Sequence, residues 1–233
     1  LKLEALATAK LLAANVASTK SIEELSLIDS KIASTQAEIK KIIFTIQNVV
    51  LKIVKKIGNW FSLSKFSNKD QISITMVCLG NICRSPMAAA VLANKKQAVK
   101  SPVITVDSAG TGPWHIGQGP HPSSKKIWEK AGYKHEHTAK QFSSSDFFVH
   151  DLILVMDSSN YHNVISLAES EEHRAKVFYL RSFDPALKGI DPSSADYFKL
   201  EVPDPYNQSD EAYEATLAMV ERAVDGLLDE LKS

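Results

Sequence analysis

Apolar positions between residues 25 and 60 recur in alternating steps of three and four residues, the spacing of a helix that packs along one side. Thr35 and Lys56 are the two polar interruptions in this seam. From residue 42 onward, further apolar side chains widen the surface beyond a narrow stripe. The apolar positions of the seam are Leu25, Ile28, Ile32, Ile39, Ile42, Ile46, Val49, Ile53 and Trp60. The pattern predicts a helix that needs a partner on its apolar side.

The other residues of this N-terminal segment also have helical character, because the segment contains no proline and no glycine before Gly58. Ser21 and Glu24 fit a capping box, in which each side chain bonds a free backbone amide near the other residue. Such a box marks a helix start. We therefore predict a helical hairpin over residues 1–60, with its turn before Ser21.

The period changes beyond this segment. Residues 61–71 lack regular spacing and are predicted to form a linker. After them, short apolar runs alternate with amphipathic stretches to the end of the chain. Strands are predicted at 72–77, 103–110, 151–157 and 176–183, and helices at 85–98, 122–132, 158–170 and 209–231. This alternation predicts an α/β domain over residues 72–233, with a doubly wound parallel sheet and helices on both faces.

Charge is divided between the two parts of the chain. Lys and Arg number 27, as do Asp and Glu, so no basic excess indicates a nucleic-acid partner. Residues 1–70 contain eleven lysines and six acidic residues, a net of +5, which leaves −5 on residues 71–233. The opposite signs support two separate units.

The two cysteines of the chain, Cys78 and Cys83, lie close together. No disulfide framework can therefore join distant segments, which favours a reducing compartment such as the cytoplasm. At the N-terminus, Lys2, Glu4 and Lys10 interrupt the apolar residues, unlike the continuous apolar block of a signal peptide. We expect a cytoplasmic protein, with peripheral contact to a membrane as an alternative for its first helices.

The stretch VCLGNICRSP at residues 77–86 carries the chemistry of the chain. It follows the first predicted strand and leads into a helix, where doubly wound sheets bind ligands. Inward backbone amides bind anions, Gly80 removes a side chain where the backbone approaches its guest, and Arg84 matches two phosphate oxygens. The same groups and the helix dipole favour a thiolate at Cys78. The loop is therefore predicted to hold a phosphate monoester beside a nucleophilic sulfur.

The Cys-x5-Arg-Ser spacing of this stretch resembles the signature loop of the low-molecular-weight protein tyrosine phosphatases. Further motifs agree with that family in order and approximate spacing: DSAGT at 107–111, Trp114 followed by Gly117, HTAKQ at 137–141 and DPY at 204–206. The resemblance covers about residues 72–233 and none of residues 1–70. It implies hydrolysis of phosphotyrosine in proteins through a phosphocysteine, without a metal or other cofactor.

The resemblance also implies roles for individual residues. The catalytic set is Cys78 as nucleophile, Arg84 for phosphate, Ser85 as donor to the sulfur, and Asp204 as general acid and then base. The substrate contacts are Leu79, Gly80, Asn81, Ile82 and Cys83 in the loop, with Trp114 and Tyr206 flanking an aromatic ring. The residues that brace the loop are Asn81, Ser108 and His137.

Two features near these residues have a second interpretation. Cys83 either fills space beside the loop or forms a disulfide with oxidised Cys78, which would prevent irreversible oxidation. His135 and His137 have the spacing of a metal pair on a strand, but no third ligand cluster accompanies them, so we predict no metal site.

Two other functions compete with phosphotyrosine hydrolysis. An arsenate reductase of related fold uses a similar loop, but its thiol-relay form needs resolving cysteines farther along the chain, and none follows Cys83. A binding module that captures phosphotyrosine without cleaving it would be expected if Cys78, Arg84 or Asp204 were replaced. All three are present.

Residues 21–61 have two interpretations, neither of which the family resemblance decides. Lysines surround the apolar helix, which ends in Trp60 and Phe61, as in helices that lie on anionic membranes. The apolar run from residue 42 to 51 is too short to span a bilayer. The long seam favours the other interpretation, self-association as a helical bundle.

Overall fold

The first segment forms one continuous α-helix, α1 (Lys2–Trp60), in a computed structural model that describes residues 2–60, 63–66 and 69–232. The predicted helical character is confirmed, but the predicted turn before Ser21 is wrong. The segment has no proline and no glycine before Gly58, and the hydroxyls of Thr19, Thr35 and Thr45 each donate to the carbonyl four residues earlier at 2.9 Å. A capping-box sequence is compatible with a helix interior.

Some residues of the predicted seam lie outside those that the structure describes. The side chains of Leu25, Ile53 and Trp60 and the whole of Phe61 are not among the described residues. The described seam positions Ile28, Ile32, Ile39, Ile42, Ile46 and Val49 are exposed in the single chain. Of the helices that the structure describes, none is both long enough and apolar enough to cross a membrane.

The chain divides into two compact units, Leu1–Asn59 and Trp60–Ser233. The strands of the second unit are β1 (Gln71–Cys78), β2 (Val103–Gly110), β3 (Leu152–Val155) and β4 (Val177–Tyr179). Its α-helices are α2 (Arg84–Lys95), α3 (Pro122–Lys130), α4 (Asp146–Val149), α5 (Ser158–Ser166), α6 (Glu171–Arg174) and α7 (Asp210–Lys232). Short 3-10 helices lie at Leu63–Phe66, Lys96–Ala98, Leu180–Phe183, Pro185–Leu187 and Tyr197–Leu200.

The strands form one parallel sheet in the order β2-β1-β3-β4, which confirms the predicted doubly wound fold. β2 and β3 lie on opposite sides of β1, so the strand order reverses there, and the carboxyl end of β1 is the switch point at which such sheets bind ligands. Cys78, the last residue of β1, pairs with Gly110, the last residue of β2.

Apolar side chains cover both faces of the sheet. Alternate residues of β1, namely Ile72, Ile74 and Met76, enter one buried cluster together with residues of α2, α3 and α7. Val77 points the other way and joins a second cluster with β3 and α5. Because both faces are buried, the strands read as continuous apolar runs in the sequence.

The predicted linker belongs in part to the second unit. Leu63 and Phe66 are each only 4% exposed and pack into the same buried cluster as α7. The sequence pattern missed this contact because two apolar residues within a polar stretch carry no period. Residues 61, 62, 67 and 68 of the predicted linker lie outside the described residues.

Candidate active site

Residues 79–83 connect the end of β1 to the start of α2, and several carbonyls in and beside this turn accept hydrogen bonds from segments outside it. The carbonyls of Cys78 and Leu79 accept from the N–H groups of Thr111 and Gly112, both at 2.8 Å. The carbonyl of Ile82 accepts from the His121 N–H at 2.8 Å, and that of Cys83 from the Ser124 hydroxyl at 2.9 Å. Since N–H and C=O of a trans peptide point in opposite directions, the amides of these peptides face the interior and form an anion nest.

The side chain of Asn81 braces this loop from within. Its Nδ2 donates to the hydroxyls of Ser85 and Ser108, both at 2.9 Å, and its Oδ1 accepts from the Lys140 N–H at 2.9 Å. The Asn81 carbonyl accepts from Nε2 of His137 at 2.6 Å. The structure thus brings together the three residues expected to brace the loop, Asn81, Ser108 and His137.

His137 acts in these contacts as a neutral donor. Its pKa lies below the ordinary value because burial disfavours the imidazolium, although the hydrogen bond to the Asn81 carbonyl opposes this shift. A carbonyl can only accept, so Nε2 carries the proton. The neighbouring His135 stacks on His137 with ring centroids 6.4 Å apart. Among the residues described, no three His, Cys, Asp or Glu side chains are grouped so that they could hold a metal ion.

The backbone approaches closely at Gly110 and is left-handed at Asn81, and a Cβ added to Gly80 would lie 2.9 Å from Cδ2 of His115. Asn81 has φ of 55°, whereas Gly80 has no positive φ. A Cβ on Gly110 would lie 2.9 Å from the Asn81 nitrogen and from the Leu79 oxygen. Asparagine tolerates the left-handed region, and here its side-chain contacts hold it there.

Cys78 is 3% exposed at the base of the loop. Its Sγ lies 2.9 Å from the Ser85 Oγ and accepts from the Asn81 N–H at 3.3 Å. Asn81 Nδ2 donates to the same Ser85 oxygen, and the Ser85 hydroxyl hydrogen can go to the sulfur at 2.9 Å or to the Ala109 carbonyl at 3.4 Å, of which the sulfur is nearer. The sulfur thus has the Asn81 N–H and the Ser85 hydroxyl within hydrogen-bond distance.

Arg84 is the first residue of α2, and its guanidinium is buried among acceptors. Nη1 donates to Asp157 Oδ2 at 2.5 Å and to the Val202 carbonyl at 3.1 Å, and Nη2 donates to Asp204 Oδ2 at 2.7 Å. Burial lowers the pKa of Arg84, but the negative charges of Cys78, Asp204 and Asp157 outweigh this and raise it. Nε is buried and has no hydrogen-bond partner among the described residues. A buried orphan donor of this kind requires an acceptor, and a phosphate oxygen would supply one.

Sequence reasoning missed Asp157, the second carboxylate on this guanidinium. Its other oxygen accepts from the Asn160 N–H at 2.7 Å, so the same side chain caps α5 and holds Arg84. The available signal was its position at the end of the predicted third strand, because carboxyl ends of adjacent parallel strands meet at one edge of the sheet.

The remaining predicted site residues lie on loops around Cys78. Ile82 is buried and Leu79 is 40% exposed. Trp114 and Tyr206 are 65% and 46% exposed, as expected of side chains that receive a ligand ring from solvent. Backbone hydrogen bonds of Gly112 and His121 join the segment that carries Trp114 to residues 79–83. The Arg84–Asp204 contact joins the segment that carries Tyr206 to the start of α2.

A ring cluster that the sequence did not reveal lies behind Cys83. The Cys83 sulfur is 3.8 Å from the hydroxyl oxygen of Tyr213, which lies 3.1 Å from Nδ1 of His121. The His121 ring stacks on Tyr213 and meets Tyr206 edge-on, with a centroid distance of 5.5 Å. Burial, with the nearby charge of Cys78, raises the pKa of Cys83 to about 12, although the Tyr213 hydrogen bond opposes the shift. His121 thereby connects the second cysteine to an expected wall of the substrate site.

Comparison with known proteins agrees with this fold and site. A family model described as low molecular weight phosphotyrosine protein phosphatase matches residues 73–233. A low molecular weight protein-tyrosine-phosphatase of Streptomyces coelicolor is 42% identical over 156 residues, 66% of this chain and 90% of that protein. The chain therefore belongs to the low molecular weight phosphotyrosine protein phosphatase family.

Solved structures of similar fold include phosphatases. A protein tyrosine phosphatase from Entamoeba histolytica has a TM-score of 0.60 and 31% identity, covering 69% of this chain and 97% of that one. An arginine phosphatase from Geobacillus stearothermophilus has a TM-score of 0.57 and 27% identity, covering 69% and 93%. The fold thus serves phosphatases whose substrates differ.

Proposed function

We propose that this chain hydrolyses phosphotyrosine, and aryl phosphate monoesters generally, through a phosphocysteine on Cys78. The observation that supports this most strongly is the arrangement around the sulfur. A buried Cys78 lies at the base of a loop with inward amides, beside Arg84, whose Nη2 contacts Asp204 and whose Nε has no partner in the part of the chain that the structure describes. Donors for three phosphate oxygens, a nucleophile and a proton source thus surround one position.

In the first step the Cys78 thiolate attacks phosphorus, a sulfur–phosphorus bond forms and the ester phosphorus–oxygen bond breaks. The leaving oxygen takes the proton of Asp204 as the bond breaks, because expulsion of a free phenoxide costs more. Arg84 and the loop amides stabilise the charge on the phosphoryl oxygens. The products of this step are a phenol and the phosphoenzyme.

In the second step water attacks the phosphorus while the Asp204 carboxylate accepts its proton. The sulfur–phosphorus bond breaks, and the electron pair returns to Cys78 as a thiolate. Ser85 donates to that sulfur from 2.9 Å and so favours its departure. Phosphate leaves, and Asp204 is protonated for the next cycle.

The preference for aryl esters rests on Trp114 and Tyr206. Flat aromatic side chains at the entrance favour a ring over a short alkyl group. An arginine phosphatase among the structural neighbours makes phosphoarginine the informative competitor.

The test compares turnover of a phosphotyrosine peptide, a phosphoserine peptide and phosphoarginine, with EDTA present throughout. We expect turnover of phosphotyrosine well above that of the other two. Cys78→Ser should abolish turnover and retain phosphate binding, while the matched variant Cys83→Ser keeps both. Turnover that survives in Cys78→Ser would exclude the covalent mechanism, and a preference for phosphoarginine would exclude the substrate class.

A further inference from the structure

Helix α1 presents an apolar surface that one helix cannot bury. Its described seam positions are each about half exposed, for example Ile28 at 52% and Ile39 at 50%. Single helices gain most of their stability in proteins by packing an apolar face against another element. A partner for this face is therefore required.

The period of the seam indicates another helix as that partner. An ideal straight helix drifts by about 20° per heptad from a strict seven-residue repeat. The seam keeps that repeat without a shift from residue 28 to residue 49. Such a seam follows a supercoiled partner helix better than a flat surface such as a lipid bilayer.

The one polar member of the described seam does not prevent its burial. The Thr35 hydroxyl donates to the Lys31 carbonyl of its own helix at 2.9 Å. Its donor is therefore satisfied within α1, and a partner helix can cover this position without burying an unpaired hydroxyl hydrogen.

Charges and apolar residues beside the seam favour an antiparallel second copy. When Ile28 of each helix lies opposite Ile39 of the other, Lys31 of each copy flanks Glu38 of the other, which makes two opposite-charge pairs. On the other side of the same seam, Ile22 of each copy flanks Ile43 of the other. All these side chains are exposed in the single chain.

Two α1 helices paired parallel and in register would lack both the Lys31–Glu38 pairs and the Ile22–Ile43 pairs. Lys31 would then flank Gln36 of the other copy, and Glu38 would flank Ile43, which sets a carboxylate against an apolar side chain. Flanking positions set orientation in coiled coils, so this contrast decides between the two arrangements.

We infer that the seam binds α1 of a second copy of this chain, antiparallel, with Ile28 of each copy opposite Ile39 of the other. The flanking pairs join Lys31 of one copy to Glu38 of the other, so charge reversal at either position tests the arrangement. The assembly is a dimer formed through the first unit of each chain.

The first experiment measures dimer dissociation of the full chain by sedimentation equilibrium. Lys31→Glu alone and Glu38→Lys alone each set like charges opposite one another and should weaken the dimer several-fold. An equal mixture of the two variants should recover the parent affinity, because the mixed dimer has two opposite-charge pairs. Lys40→Glu, which changes an exposed charge away from the seam, is the matched control and should leave the affinity unchanged.

The second experiment measures orientation by energy transfer between dyes on single introduced cysteines. Ala13→Cys labels should lie about 60 Å apart in the antiparallel dimer, from the rise of 1.5 Å per residue, and side by side in a parallel one. Ser34→Cys labels lie close together in both and are the control. Strong transfer at both positions would overturn the proposal, as would a monomeric parent, a trimer, or binding to anionic vesicles without self-association.

Discussion

Nη2 of Arg84 donates to Oδ2 of Asp204 at 2.7 Å, so the group proposed to bind phosphate already contacts the group proposed to supply the proton. A phosphate dianion that binds this guanidinium would therefore lie directly beside the Asp204 carboxyl.

Asp204→Asn should slow hydrolysis of poor leaving groups, such as unsubstituted phenol, by roughly 10²–10⁴-fold. The loss should be much smaller for nitrophenols, because a weakly basic oxygen departs without a proton. Rates across a series of substituted phenyl phosphates measure this. Asp157→Asn is the matched control. It removes the other carboxylate on Arg84 and should lower the rate by about the same factor for every substrate in the series. An equal loss across the series for Asp204→Asn would assign the acid elsewhere.

Mild peroxide should inactivate the enzyme reversibly, because the oxidised Cys78 sulfur lies in the same short loop as Cys83. Attack by the Cys83 thiol on that sulfur releases water and forms a disulfide. Since burial raises the pKa of Cys83 to about 12, disulfide formation should accelerate as the pH rises. Recovery with dithiothreitol should be poorer for Cys83→Ser. Equal recovery of variant and parent would leave Cys83 with a packing role only.

His121→Ala should raise KM for aryl phosphates several-fold with a smaller change in kcat, because the His121 ring contacts Tyr206 edge-on and supports that wall. His121→Phe retains an aromatic ring without the Tyr213 contact through Nδ1, and it should restore most of the affinity. KM for a short alkyl phosphate, which lacks a ring, should not change in either variant. A fall in kcat alone would contradict a positioning role.

Acidification should destabilise the parent more than His137→Gln, which keeps a side-chain donor but does not titrate. Burial holds the pKa of His137 below its ordinary 6.5 in the folded chain. Between that lowered pKa and 6.5 the unfolded chain binds a proton that the folded chain does not, so stability falls with falling pH. Thermal unfolding between about pH 7 and about pH 5.5 measures the difference. Parallel curves for the two proteins would exclude this contribution.

A chain that begins at residue 60 should keep its activity on simple aryl phosphates within about a few-fold, because the described site lies wholly in the second unit. A chain that begins at residue 71 also loses Leu63 and Phe66, which are buried against the core. Each such side chain contributes about 1.5–3 kcal/mol, so the shorter chain should unfold at a clearly lower temperature. Equal unfolding temperatures would show that the Leu63–Phe66 turn adds nothing to the second unit.

Sequence periodicity predicted most of the second unit because β3 and β4 are buried throughout and β1 is buried over most of its length. The run at 103–110 matches β2 at both ends, whereas the run at 176–183 shortens to the three residues of β4 and continues as a 3-10 helix. An apolar run records burial, and it does not distinguish a strand from a buried turn.

Some residues of the candidate site could be predicted from the sequence and others could not. Cys78, Arg84 and Asp204 belong to motifs with fixed spacing, so their proximity could be anticipated. Asp157 and His121 reach the site only through the sheet order and the packing of α7, which no local pattern contains. The sequence also failed to predict that α1 is continuous, because the residues of a capping box, such as Ser21 and Glu24, occur in helix interiors as well as at helix starts.

Rapid-quench mass spectrometry of the Cys78 peptide tests the central claim most directly. After the enzyme is mixed with an activated aryl phosphate at low pH, phenol should appear in a burst that matches the enzyme concentration. The peptide containing Cys78 should gain one phosphoryl group over the same interval, and Cys78→Ser should show neither signal. A phenol burst without phosphate on Cys78 would contradict the mechanism. So would turnover by Asp204→Asn without a detectable phosphoenzyme, because this variant should slow hydrolysis of the phosphoenzyme.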